Sequence, residues 1–158
     1  MEAVICDTVH GRDEFAALPD GLKKRFICDA RATVAVQSKR SEDFARIYRR
    51  LREKGLSPLV VKGISCRRLW KNPDARPSGD EDLLIRPEWL GDVLAVMEEN
   101  GFAVSREGDV VCYSPLSGLT VEIHTSLFPT DSEYFSGFNG CFDRVFESPD
   151  LFTACGTE

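Results

Sequence analysis

Two short stretches, Leu59-Val60-Val61-Lys62-Gly63 and Asp80-Glu81-Asp82-Leu83-Leu84-Ile85, decide how this chain folds. Each contains an apolar run of the length of a buried strand, and each has a polar edge where chemistry can sit. Between them, Asn72-Pro73-Asp74-Ala75-Arg76-Pro77-Ser78-Gly79 is dense in turn formers and reads as a loop. Asp80 and Asp82 stand one residue apart at the start of the second strand. Period-two alternation sends both carboxylates to one face, roughly 6–7 Å apart along the strand. Like charges at the edge of a core repel, and a divalent cation relieves that repulsion. Mg²⁺ suits the pair, because it takes hard oxygen ligands from one or two carboxylates and from substrate phosphates. The competing explanation is a strand mouth whose acids merely face water.

Working outward, Lys62-Gly63 ends the first strand and leads into a short helix from Ile64 to Trp70. A glycine at such a turn lets backbone N–H groups approach a phosphate, and Ser65 falls in the helix's first turn, where anions are favoured. Arg76 could reach a triphosphate from its loop, or be no more than a solvated side chain. Further on, Thr120-Val121-Glu122-Ile123-His124 is another apolar strand with an acid inside it. If it lies beside the Asp80–Asp82 strand, Glu122 adds a third carboxylate to the same face. Three acids on adjacent strands can hold two metals about 3.5–4 Å apart, the arrangement used in phosphoryl displacement. His124 shares the face of Glu122, and a structural hydrogen-bonding role is the expectation for it.

The rest of the chain supplies helices and strands in alternation. Leu22, Phe26, Ile27, Ala30 and Val34 recur at helical spacing and predict a helix over 22–37, after a Leu18-Pro19-Asp20-Gly21 turn. Ser41 is expected to cap a second helix with Phe44, Ile47, Tyr48 and Leu51 on one stripe, stopped by Gly55. Pro87 opens a helix whose apolar face is Trp89, Leu90, Val93, Leu94 and Met97, ending near Asn100-Gly101. Phe102 to Ser105 and Val110 to Tyr113 can pair as a hairpin, and Leu119 to Thr125 is a further strand. Tyr134, Phe135, Phe138, Phe142, Val145 and Phe146 suggest an aromatic helix. The fold class expected is α/β (α+β), a small mixed β-sheet flanked by helices. The division expected is a helical segment over 1–55, a core over 56–128 and a helical segment over 129–158 that could begin a truncated second domain.

Composition narrows the function classes. The chain has 158 residues, 42% hydrophobic and 29% charged, which excludes collagen, coiled coil and extended disorder. With 20 Lys+Arg against 26 Asp+Glu the net charge is -6, so no whole-molecule field favours nucleic acid. The basic stretch Lys39 to Lys54 reads as a solvated helix face, with an RNA-attracting face as the alternative. No run approaches the roughly 18 apolar residues of a membrane helix, and Met1 to Asp7 lacks the pattern of a secretory signal, so the expectation is a cytoplasmic protein away from membranes. Six scattered cysteines without CxxC or ligand spacing are expected to be reduced thiols.

In order and spacing, Val60-Val61-Lys62-Gly63, Arg76-Pro77-Ser78-Gly79-Asp80-Glu81-Asp82-Leu83-Leu84, Gly101-Phe102 and Val121-Glu122-Ile123-His124 resemble the uncharacterised nucleotidyltransferase family, part of the DNA polymerase beta-like superfamily. The resemblance covers roughly residues 56 to 126. It implies a nucleotidyltransferase-like fold and Mg²⁺-dependent transfer of a nucleoside monophosphate from an NTP to an acceptor hydroxyl, with pyrophosphate released. Two ions are implied when NTP is bound. Asp80, Asp82 and Glu122 would be the catalytic metal ligands, and Lys62, Gly63, Ser65 and Arg76 would contact the nucleotide. The acceptor could be a protein, a tRNA or a small molecule. This chain has Gly63-Ile64 where the superfamily usually has Gly-Ser or Gly-Gly. That departure motivates the alternative of a weakly active or inactive binding or regulatory module, such as one half of a toxin–antitoxin pair. A metal-dependent nuclease ranks below both.

Overall fold

In a computed structural model, residues 2–106, 109–129, 131–141 and 146–147 are described. The chain begins with helices α1 (Glu2–Val9), α2 (Asp13–Ala16) and α3 (Asp20–Glu53). Strand β1 (Leu59–Val60), helix α4 (Ile64–Arg67) and strand β2 (Asp80–Leu84) follow. Helix α5 (Leu90–Glu99), β3 (Ala103–Ser105), β4 (Val110–Tyr113) and β5 (Thr120–His124) complete the sheet, and a 3-10 segment spans Ser136–Cys141. The five strands run in the order β1-β2-β5-β4-β3. Only β2 and β5 are parallel, and the other three pairings are antiparallel, so the sheet is mixed as expected.

The core forms on one face of this sheet. Leu83 and Ile85 from the β2 stretch, Val121 and Ile123 from β5 and Cys112 from β4 meet Phe44, Ile47 and Leu51 of α3 and Val93, Val96 and Met97 of α5. Alternation then leaves Asp80, Asp82, Glu122 and His124 on the opposite face. Burial at fully enclosed positions such as Ile47, Leu51, Val93 and Met97 stabilises the fold by about 1.5–3 kcal/mol per side chain relative to exposure.

The helical region departs from expectation. The segments 22–37 and 41 onward are one helix of 34 residues. Ser41 does not cap it: its hydroxyl donates to the Gln37 carbonyl one turn back at 2.9 Å, and the side chain is buried. No Gly or Pro interrupts residues 36–41, so the backbone has no local reason to stop. Tertiary bonds then use the continuous stripe. Gln37 and Arg40 both donate to the Ser78 carbonyl, at 3.1 and 3.0 Å, and Ser38 donates to Asp74 at 2.7 Å. A break at residue 40 would misdirect these side chains and release the loop ahead of β2. The expected Leu18-Pro19-Asp20-Gly21 turn is also displaced, since Pro19 caps α3 and Asp20 begins it. The aromatic helix expected beyond residue 134 is a 3-10 turn over Ser136–Cys141, while residues 142–145 and 148–158 lie outside the described part.

Candidate active site

The parallel pairing of β2 with β5 assembles the site. Its register sets Asp80 against Thr120, Asp82 against Glu122 and Leu84 against His124. Cross-strand partners share a face, so Glu122 sits beside Asp82, and Asp80 and His124 lie one alternation away on either side. The β1–β2 pairing continues past β1 through the Val61 N–H, which donates to the Asp82 carbonyl at 3.0 Å. That bond delivers Lys62 to the carboxylates. Its ammonium lies 3.1 Å from Asp80 Oδ2 and 3.3 Å from Asp82 Oδ2. The hydrogen bond to Asp80, reinforced by Asp82, raises the Lys62 pKa above its ordinary value.

Asp82 is the hinge of this cluster. Only 7% of it is exposed, and its Oδ2 is buried with no hydrogen-bond partner of good geometry, although the Lys62 charge is near. Its Oδ1 faces His124 Nε2 at 3.1 Å. The same Nε2 is 3.7 Å from Glu122 Oε2. Ligand atoms of Asp82, Glu122 and His124 lie within 4.8 Å of one another. A buried carboxylate with an unfilled acceptor oxygen, set among further acids, fits a divalent cation chemically.

The other nucleotide-side residues are placed as follows. Gly63 adopts φ +73°, where a Cβ would come within 2.1 Å of Glu81 Oε2 and 2.8 Å of the Asp80 carbonyl, so the turn admits only glycine. The first N–H of the turn, on Ile64, donates to Glu81 Oε2 at 2.5 Å. The Ser65 hydroxyl donates to the Val60 carbonyl at 2.9 Å. Arg76 stands with its guanidinium 5.9 Å from the Trp70 ring centroid, a cation–π geometry at the mouth of the loop.

Two supporting networks were not foreseen from the residues alone. Glu81 points to the core face and meets Arg67, whose Nη2 donates to Glu81 Oε1 at 3.0 Å, with side chains 1% and 2% exposed. Arg67 Nη1 also reaches Ser41 Oγ at 3.1 Å and Asp74 at 3.4 Å. Burial raises the Glu81 carboxyl, against the pull of the Ile64 N–H and of Arg67. The signal was present in the sequence: an acid at a core-facing position of an apolar strand demands a partner. The second network holds the turn before β5. Ser114 and Ser117 each donate to Asp43 Oδ2 at 2.6 Å, and Arg46 donates to Asp43 Oδ1 at 2.6 Å. Burial pushes Asp43 up, but these donors outweigh it and its pKa lies below the ordinary value.

A model of a family described as uncharacterised nucleotidyltransferases matches residues 2–149. The chain belongs to that family. The match takes in all five strands and the whole carboxylate face, so membership rests on the site-bearing part of the fold as well as on the helices. No curated protein and no solved structure matches the chain. Membership supports a transferase of nucleotidyl groups, and the Asp82–Glu122–His124 group is a possible metal position within it. No helix among the described residues is long and apolar enough to cross a membrane.

Proposed function

We propose that the protein transfers a nucleoside monophosphate from an NTP to an acceptor hydroxyl, using a divalent cation, Mg²⁺ by its oxygen donors, held by Asp80, Asp82 and Glu122. The observation that supports this most is the parallel register of Asp82 with Glu122, since it gathers three carboxylates on the face turned away from the helices. The acceptor oxygen bonds to the α-phosphorus, the bond to the pyrophosphate oxygen breaks, and the acceptor proton passes to a nearby base. A bound cation supplies neutralisation of the triphosphate and a lower pKa for the acceptor hydroxyl. The chain's own residues then have distinct tasks. Asp80 and Asp82 orient the triphosphate end, and Glu122 faces the acceptor. Lys62 exchanges its carboxylate partners for phosphate oxygens, which its 55% exposed side chain permits. Arg76 adds a second positive group from the loop.

One observation favours a second reading, a nucleotide-binding or regulatory module of low turnover that works with a protein partner. The Ile64 N–H and the Ser65 hydroxyl are already bonded within the chain, so the turn after β1 has fewer donors for phosphate. Calorimetric titration with each NTP in Mg²⁺ tests the main reading. Wild-type protein is expected to bind at least one NTP, and Asp80→Asn or Asp82→Asn to weaken this about tenfold or more with the melting temperature kept. Wild-type protein with no Mg²⁺-dependent NTP binding overturns it. Nucleotide binding without incorporation of labelled NMP into any protein, tRNA or small-molecule acceptor, together with a stable co-purifying partner, favours the second.

A further inference from the structure

Asp82 divides the acidic face into two halves with different donors. On one side its Oδ2 and Asp80 Oδ2 make an oxygen-only pair, with the Lys62 ammonium lodged against both at 3.3 and 3.1 Å. On the other side stand Glu122 and an imidazole nitrogen, His124 Nε2, and no lysine or arginine among the described residues pairs with Glu122. We propose that Asp82, Glu122 and His124 form a metal site of their own, which takes a first-row transition ion of the Mn²⁺ class ahead of Mg²⁺ and fills without nucleotide. The proposal deepens the nucleotidyl-transfer reading by assigning the ion in one half of its site, and it stands on donor geometry that needs no nucleotide.

Three observations support it. Ions bound at about 2.1 Å from each donor set neighbouring donors roughly 3.0–3.4 Å apart. His124 Nε2 is already 3.1 Å from Asp82 Oδ1 and 3.7 Å from Glu122 Oε2, and the three donor atoms lie within 4.8 Å of one another, so an inward shift of the side chains closes the set. Imidazole is a poor ligand for Mg²⁺ and a good one for transition ions, so a nitrogen among the donors shifts selectivity away from Mg²⁺. Asp82 is nine-tenths buried and offers Oδ1 to this half, 3.1 Å from the imidazole nitrogen, while its Oδ2, without a hydrogen bond, faces the Lys62 half. Glu122 and His124 are 31% and 24% exposed, so an ion has a route in from solvent. The opposite half differs in kind: its resident Lys62 must leave before a cation enters, and a triphosphate is what draws an ammonium away. Occupancy is therefore ordered, with the histidine half loaded first.

Mn²⁺ binding to nucleotide-free protein, followed by electron paramagnetic resonance, tests this. One equivalent is expected to bind, with a coupling to an imidazole ¹⁴N visible in the pulsed spectrum. His124→Gln is expected to abolish the coupling and to weaken Mn²⁺ about tenfold or more, and Glu122→Gln to weaken it by a similar factor. Asp80→Asn should leave nucleotide-free Mn²⁺ affinity within about threefold, because Asp80 is not among the three donors, and excess Mg²⁺ should compete poorly. Absence of Mn²⁺ binding, binding to wild type without ¹⁴N coupling, or a coupling that survives in His124→Gln overturns the proposal. The wild-type spectrum decides this even if a variant fails to fold. Mn²⁺ with imidazole coupling in a protein that binds no NTP would uphold this metal site while sinking the nucleotidyl-transfer reading.

Discussion

Asp80, Glu81 and Asp82 are consecutive, yet the two faces of strand β2 treat them as different materials. Glu81 faces the core and is locked to Arg67, both all but removed from water, with the Ile64 N–H as a further donor. Asp80 and Asp82 face outward, and their positive partner is an ammonium on a flexible stem that is half in solvent. A planar guanidinium fixed by several bonds gives a rigid joint, while a hydrated, mobile lysine can trade one anion for another. The inner acid thus welds the Lys62-Gly63 turn to the strand, and the outer acids remain free to exchange cations. One turn of alternation separates scaffold from chemistry.

The contrast breaks most visibly on the inner face. Arg67→Met leaves Glu81 buried without its counter-charge, and Glu81→Gln strands Arg67. Each is expected to cost about 3–5 kcal/mol in urea unfolding, whereas replacing both by apolar residues of similar volume should recover much of that loss. A double replacement that costs the sum of the two single ones would show that the pair is not coupled. Next in size is Asp43→Asn, which removes the charge that three donors converge on and should cost about 2–3 kcal/mol. Because the folded pKa of Asp43 lies below its unfolded value near 3.8, its contribution is present above pH 4 and is lost as the pH falls through the folded value. Urea melts of wild type and variant should therefore converge in acid, and a constant gap between them would refute this account. The smallest effect belongs to the outer face. Lys62→Met should cost about 1–2 kcal/mol, less than the inner-face variants, since Lys62 is 55% exposed although Asp82 is not, while NTP affinity in Mg²⁺ falls. A Lys62 variant as destabilised as the Arg67 variant would erase the distinction between the two faces.

Much of the candidate site was legible because its grammar is local. Alternation alone put Asp80 and Asp82 on one face, and the strand–Gly–helix pattern located the turn that Gly63 occupies with positive φ. Glu81 escaped notice because its meaning depends on Arg67, fourteen residues earlier and on another element. The unbroken α3 was missed for a similar reason. Ser41 has the chemistry of a cap, and only the buried bonds to Gln37 and Arg67 show that its hydroxyl serves the helix interior and the network beside it.

The residues by themselves determined the strand and helix types, the loop ahead of the acids and the outward aim of Asp80 and Asp82, since sterics and periodicity act over a few neighbours. Tertiary structure decided that β5 lies parallel to β2 with Glu122 opposite Asp82, that Lys62 is lodged between two carboxylates and that His124 completes the other half. Strand register is a long-range choice, made by burying Val121 and Ile123 against the helices. A slip of one residue would turn Glu122 into the core and His124 with it, leaving the aspartates without their partners.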